Sequence, residues 1–217
     1  MPMTILAIDT ALDACSLALL RNGDDAPVVV SEPMVTGHAE AFFSLMDRLF
    51  AAAGSNAREI GRVAVTVGPG SFTGIRVGLA AARGLGLAWN VPVHGVTTLD
   101  AFAHDLLPSK RSFAVLIDAR RGAFYRQLYN ASGVSSEPEL VSAEAPLAGL
   151  GDNVALAGPA VGHIDSQGRE RLITPPHLPV SALARMVIEG QSLRLPVPLY
   201  VRDADARPQA HAALSRL

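Results

Sequence analysis

An aliphatic run that ends on aspartate occurs twice in the chain, as Ile5-Leu6-Ala7-Ile8-Asp9 and as Ala114-Val115-Leu116-Ile117-Asp118. A second signature, strand-forming residues running into Gly-Pro, also occurs twice and in the same order, as Val65-Thr66-Val67-Gly68-Pro69 and Ala155-Leu156-Ala157-Gly158-Pro159. Strand and helix signals fill the intervals. Strands are expected over residues 4–8, 15–20 and 28–31, with a turn at Arg21-Asn22-Gly23-Asp24, then a helix over 38–53 closed by Gly54 and a strand over 62–67. Ser71 or Thr73 can cap a helix that runs to about Trp89, where Asn90 and Pro92 stop it, and Thr97 or Thr98 can cap another over 97–106. The second half restarts with strands over 113–117, 123–129, 140–141 and 154–157 and a helix over 181–189 closed by Gly190.

Antiparallel strands followed by helix, strand and helix, twice over, is the order of an α/β, two-lobed actin-like (ASKHA) fold built from duplicated βββαβα units. The second lobe is reduced, and the boundary falls near residues 107–111, giving lobes of 1–106 and 107–217. The plainer alternative is that strand-Asp and strand-Gly junctions are common in any α/β protein. A chain of 217 residues buries enough surface to fold without disulfides or a structural metal. Its single cysteine, Cys15, suits a reducing compartment and rules out a disulfide framework or a four-cysteine zinc site. A net charge of −2 gives no bulk attraction to nucleic acid or an acidic membrane. The first residues lack the basic region of a signal peptide, and Asp9 and Asp13 interrupt any apolar one. The longest apolar stretch, residues 77–89, contains Arg83 and is too short to span a bilayer. A cytoplasmic protein without membrane contact is expected.

Few residues carry a signal for chemistry. Asp9 and Asp118 end buried strands, where a carboxylate can hold a hydrated magnesium or simply cap its own turn. Gly68-Pro69-Gly70-Ser71-Phe72-Thr73-Gly74 links a strand to a helix and could present N–H groups to an anion, or could be only a tight connection. It lacks the Lys-Ser/Thr of a Walker loop, and its glycines are spaced one residue too long for a dinucleotide fingerprint. The six histidines form no metal-binding pair, and no G-x-S-x-G occurs. No catalytic, cofactor or metal residue is assigned.

The helices are more telling. In the helix over 38–53, Glu40, Ser44, Asp47 and Arg48 share a narrow arc, while apolar residues cover about 200°, more than one buried side needs. In the next helix Arg76 and Arg83 lie on one line, with Gly74, Gly78, Ala81, Ala82, Leu85 and Ala88 opposite. Each interior glycine costs about 1 kcal/mol against alanine, and close approach of another element is the usual return. A partner chain is therefore expected on Phe42, Leu45, Met46, Leu49, Gly74, Val77, Gly78, Ala81 and Leu85. The alternative is that the two helices bury everything against each other and the second lobe.

Taken together, several segments resemble the bacterial TsaB (YeaZ) family of the threonylcarbamoyladenosine tRNA-modification system. They are the segment from Ile5 to Thr10, Ala14 to Leu19, His38-Ala39-Glu40, Gly68 to Leu79, Ile117-Asp118-Ala119-Arg120 and Pro198-Leu199-Tyr200-Val201-Arg202. The likeness runs in order along nearly the whole chain, and Gly68 to Arg76 is its most specific part. It implies an actin-like fold and a non-catalytic role as a paralogue of the transferase TsaD. Pairing with TsaD would use the two helices of the first lobe, and the ATPase TsaE would join the pair. The complex moves a threonylcarbamoyl group from its adenylate to adenosine 37 of tRNA. Thr98 and Phe102 stand where the catalytic paralogue carries two metal-binding histidines, and neither suits that task. The resemblance further implies a homodimer when the chain is alone, tRNA met only through the complex, and no cofactor beyond a possible nucleotide at the TsaD junction. Two rivals remain. One is a small actin-like ATPase or kinase using Asp9 and Asp118, for which little chain follows residues 158–162 to build an adenosine pocket; the other is a glycoprotease-like hydrolase.

Overall fold

A computed structural model describes residues 3–24, 26–134 and 136–201. Five strands form the first sheet: β1 (Thr4–Asp9), β2 (Ala14–Arg21), β3 (Val28–Pro33), β4 (Ile60–Gly68) and β5 (Val93–Thr97), in the order β3-β2-β1-β4-β5. β1, β2 and β3 are antiparallel neighbours, whereas β4 and β5 run parallel to β1. The register sets Ala7 beside Ala18 on one side and Ala64 on the other, so small residues line the middle of the sheet.

The second sheet holds β6 (Phe113–Asp118), β7 (Ala123–Asn130), β8 (Gly133–Val134), β9 (Glu139–Ser142) and β10 (Ala155–Ala157). β10 is parallel to β6, β7 antiparallel to β6, and β9 antiparallel to β7. The order β10-β6-β7-β9 therefore repeats β4-β1-β2-β3, and the duplication expected from the paired Asp and Gly-Pro signatures is present in three dimensions.

Helices α1 (His38–Ala53) and α2 (Phe72–Trp89) cover the outer face of the first sheet. Each ends on a left-handed residue, Gly54 at φ 55° and Asn90 at φ 54°, whose N–H groups close the last turn. Phe42, Leu45 and Leu49 of α1 and Ile75 and Leu79 of α2 pack there against Leu6, Ile8, Leu17, Val63 and Val65. Among the described residues no α-helix covers the outer face of the second sheet. Leu147, Leu150, Val161 and Ile164, from turns and a short 3-10 helix (Pro159–His163), pack on Ala114, Leu116 and Leu156 instead. That substitution of loop for helix is the reduction of the second lobe.

Between the sheets lie α3 (Thr98–Ala103) and α4 (Val180–Glu189). α4 packs on β1 and β2, and α3 touches β6 and β7 as well as β4 and β5. Leu99, Phe102, Leu183 and Val187 join Ile5, Ala18 and Leu20 of one sheet to Phe113, Val115 and Ile117 of the other in a single core.

Three details differ from the sequence reading. β5 was not expected, because Val93-His94-Gly95-Val96-Thr97 is short and contains a glycine. α3 stops at Ala103, and His104–Ser109 continues as a 3-10 helix around Pro108, whose ring and missing N–H disfavour a regular α turn. Beyond α4, residues 193–201 return to the first sheet as a strap. Arg194 and Gly95 exchange backbone hydrogen bonds of 2.8 and 2.9 Å, and the Leu199 N–H donates to the Val67 carbonyl at 2.7 Å.

Candidate functional site

The carboxyl ends of β1 and β6 face each other across a cleft of about 380 Å³. Asp9, Asp13 and Ser71 line it from the first half, and Asp118, Arg120 and His177 from the second. Asp9 is buried at its base. Its Oδ1 accepts the Ala11 N–H at 3.0 Å and the Thr66 hydroxyl at 2.7 Å. Burial pushes its pKa up to about 6 in spite of those two hydrogen bonds. Asp118 is exposed and accepts the Arg120 N–H at 2.6 Å, closing its own hairpin turn. At the mouth the Arg120 guanidinium meets Asp13 at 2.8 Å, but both side chains are largely exposed, so solvent screening leaves the pair little weight. The two aspartates thus sit on either side of one cleft, Asp118 engaged with its own turn and Asp9 with its turn and with Thr66 of β4.

The glycine-rich connection is used internally. Ser71 caps α2 by accepting the Gly74 N–H, its own N–H donates to the Ala11 carbonyl at 2.7 Å, and Thr10 Oγ1 donates to the Gly74 carbonyl at 2.7 Å. A Cβ at Gly70 or Gly74 would collide with the backbone carbonyl of Ala11 or Thr10, and one at Gly78 would lie 2.5 Å from Thr10 Oγ1. The small residues of α2 therefore allow close approach to the β1–β2 turn of the same chain. The N–H groups of Ser71 and Gly74, considered above for an anion, already have protein partners.

This contact corrects the reading of the apolar helix arcs. Phe42, Leu45, Met46 and Leu49 are buried under α1 against the chain's own sheet, and Gly74 and Gly78 are buried beside Thr10. Val77, Ala81 and Leu85 are half-buried. What the helices turn outward is a different set: Phe43 is 60 % exposed, Leu87 86 %, and Val35 in the loop before α1 60 %. The wide arcs split, one part feeding the internal core and the rest facing solvent. Phe50 and Trp89 join the C-terminal ends of α1 and α2 edge to face at 6.4 Å. At the other end of α2, Phe72 sits 5.2 Å from Tyr200 of the strap, with the Arg76 guanidinium 3.7 Å from the Phe72 ring centre. Arg83 binds the strap through the Pro196 carbonyl at 2.9 Å. Sequence reasoning missed the strap because it has no periodic signal.

Thr98 and Phe102, which the resemblance sets where two metal-binding histidines would stand, are buried in the inter-sheet core, and the Thr98 hydroxyl has no hydrogen-bond partner. A lone hydroxyl beside a phenyl ring does not fit a divalent metal. Among the described residues no cluster of three or more His, Cys, Asp or Glu could hold an ion. No helix among them is long and apolar enough to cross a membrane.

With this geometry in place, comparison with known proteins is specific. The family model of TsaD, tRNA N6-adenosine threonylcarbamoyltransferase, matches residues 29–160. The tRNA threonylcarbamoyladenosine biosynthesis protein TsaB of Escherichia coli is 37 % identical over 125 residues, 57 % of this chain and 53 % of that protein. The chain thus spans about half the length of the curated TsaB relatives it matches. An uncharacterized protein of Mycobacterium bovis, Mb3455c, is 31 % identical over 216 residues and 95 % of each chain. The crystal structure of an uncharacterized Pseudomonas aeruginosa protein with similarity to peptidase YEAZ superposes with a TM-score of 0.74, covering 92 % of this chain and all of that one. At 24 % identity that likeness speaks for the fold alone. YeaZ from the same organism gives a TM-score of 0.71 over 91 % of this chain and 99 % of its own, again at 24 % identity. Because the family model spans more than half of the sequence, the chain belongs to the TsaD family.

Proposed function

We propose that the chain is a non-catalytic subunit of tRNA threonylcarbamoyladenosine biosynthesis, the process named for its E. coli relative. It pairs with a TsaD-type transferase through the outward faces of α1 and α2, and a TsaE-type ATPase joins the pair. Alone, it forms a homodimer through the same faces. The observation that carries this reading is the pair of large apolar side chains, Phe43 and Leu87, turned to solvent on helices whose inner faces already serve the chain's own core. Removing such side chains from water contributes roughly 1.5–3 kcal/mol each when fully buried, enough to anchor an interface. tRNA is met through the assembled complex, in keeping with a net charge of −2. The chain needs no cofactor of its own on this reading.

The test uses Phe43→Glu combined with Leu87→Glu. Both positions are exposed within the protomer, so the isolated variant keeps the wild-type circular dichroism spectrum, and its melting temperature falls only by what the lost homodimer contributed and no longer depends on protein concentration. Its co-elution with TsaD in size-exclusion chromatography is lost. Cells depleted of the protein lose modified adenosine 37, and the wild-type gene restores it while the variant does not. Co-elution of the double variant with TsaD at wild-type strength overturns the proposal.

A further inference from the structure

Helices α1 and α2 run side by side in the same direction. Each links two parallel strands of the first sheet, β3 to β4 and β4 to β5, so each must return antiparallel to them. The contact of Phe50 with Trp89 holds their C-terminal ends at one level. Both helices carry an ordered row of charge on their exposed sides. At about 100° per residue, Glu40 and Asp47 stand two turns apart on one line of α1, and Arg76 and Arg83 two turns apart on one line of α2. All four are exposed.

No ion pair among the described residues uses these rows. Arg76 donates to the Tyr200 hydroxyl at 3.0 Å and Arg83 to the Pro196 carbonyl at 2.9 Å, both uncharged acceptors that leave each guanidinium its full charge and further N–H donors. Arg48, next to Asp47, is paired with Glu32 at 3.3 Å. Glu40, in the first turn, also suits the positive end of its helix, but Asp47 in the middle of α1 has no such reason to be there. The rows match in length and level. With a rise of about 1.5 Å per residue, Asp47 and Glu40 lie about 4.5 and 15 Å from the Phe50–Trp89 contact, and Arg83 and Arg76 about 9 and 20 Å from it. Each arginine is therefore within about one turn of the level of one carboxylate.

We infer that this face receives a second copy of the chain, with α1 of each copy laid parallel along α2 of the other so that Glu40 and Asp47 reach Arg76 and Arg83. A two-fold axis parallel to the helices produces this arrangement and keeps every residue at its own level. Phe43, two turns from Phe50 on the side of α1 toward α2, then lies beside the axis. The other face-to-face arrangement, with the axis across the helices, sets α1 on α1 and α2 on α2, and like charges meet in both pairs. The inference rests on the proposed pairing through α1 and α2, and adds which helix meets which and in what direction.

The experiment is sedimentation equilibrium of the full chain and of two charge-swapped variants, one carrying Glu40→Lys with Asp47→Lys and the other Arg76→Glu with Arg83→Glu. Either variant alone sets like charges face to face, so its dimer weakens by about 10-fold or more, and the wild-type dimer weakens as salt is raised. An equimolar mixture of the two variants restores every pair and associates with wild-type strength. Circular dichroism checks that each is folded. Should loss of the Arg76 and Arg83 contacts disturb the strap, the Glu40→Lys, Asp47→Lys variant, which removes no internal hydrogen bond, decides alone: mixed with wild type it forms a dimer of intermediate strength. A mixed dimer tighter than either homodimer means that α1 lies on α1 and overturns the inference. Equal self-association of wild type and both variants, with the dimer still lost on Phe43→Glu and Leu87→Glu, overturns it and leaves pairing through these helices standing. A wild-type chain that stays monomeric overturns it too, and co-elution with TsaD then decides the underlying reading by itself.

Discussion

Gly78 and Gly84 lie on one helix, yet replacing each by alanine should change stability in opposite directions. Alanine in a helix interior is favoured over glycine by about 1 kcal/mol. Gly84 is exposed, and a Cβ there meets nothing within 4 Å, so Gly84→Ala should stabilise the isolated chain by about that amount. At Gly78 the new Cβ would stand 2.5 Å from Thr10 Oγ1. Thr10 is fully buried, and its hydroxyl donates to the Gly74 carbonyl at 2.7 Å. Making room means moving that hydroxyl away from its acceptor. A buried hydrogen bond left unmade together with overpacking costs roughly 3 kcal/mol, so the net loss is about 2 kcal/mol. Urea denaturation followed by helical circular dichroism measures both. The two midpoints should separate by roughly 1 M, given the urea dependence usual for a chain of this size. In a Thr10→Ala background the obstacle is gone, and Gly78→Ala should turn from harmful to mildly favourable. A Gly78→Ala midpoint at or above wild type, or the same penalty with and without the Thr10 hydroxyl, refutes the view that α2 is glycine-rich to seat the β1–β2 turn.

Two other outcomes follow from named contacts. Folded Asp9 holds its proton up to a pH of about 6, well above the 3.8 of a free carboxyl, so its contribution to stability is full below about pH 4 and is lost as pH rises to 6, a fall of about 3 kcal/mol. Asp9→Asn can still accept from Ala11 and Thr66 and should remove that part of the pH dependence; denaturation at pH 5 and pH 7.5 compares the slopes, and an unchanged slope contradicts the assignment. Arg83→Ala deletes the bond to the Pro196 carbonyl, and hydrogen exchange should quicken at residues 194 and 199 while amides of β1 keep their protection; uniform protection in the variant shows that the strap holds without it.

The parts of the fold that local chemistry dictates were readable. The limits of α1 are set at one end by an apolar run starting at His38 and at the other by Gly54, and α2 begins on a serine cap and ends on a left-handed asparagine. The repeated strand-Asp and strand-Gly-Pro junctions foretold both sheets and their matching order. What stayed hidden depends on contacts between distant residues. Phe42 and Phe43 are chemically alike and adjacent, and only the position of the sheet decides that one is core and the other surface. Gly74 and Gly78 read as room for a neighbouring helix, because the neighbour that fills the space, Thr10, is 64 residues from Gly74 in the chain. Asp100 and Tyr129 give no sign in the sequence of sharing a proton, since a strand and a turn of the second half must fold over α3 before they meet.

The placement of α3 and α4 has a mechanical consequence. Each helix comes from one half of the chain and is clamped against the sheet of the other, so the two halves are cross-braced. Swinging them apart to widen the cleft would bring Leu183, Val187 and Phe102 into water together. A molecule fastened in this way presents itself to any companion as a preformed block, and whatever adjustment assembly requires falls on the companion.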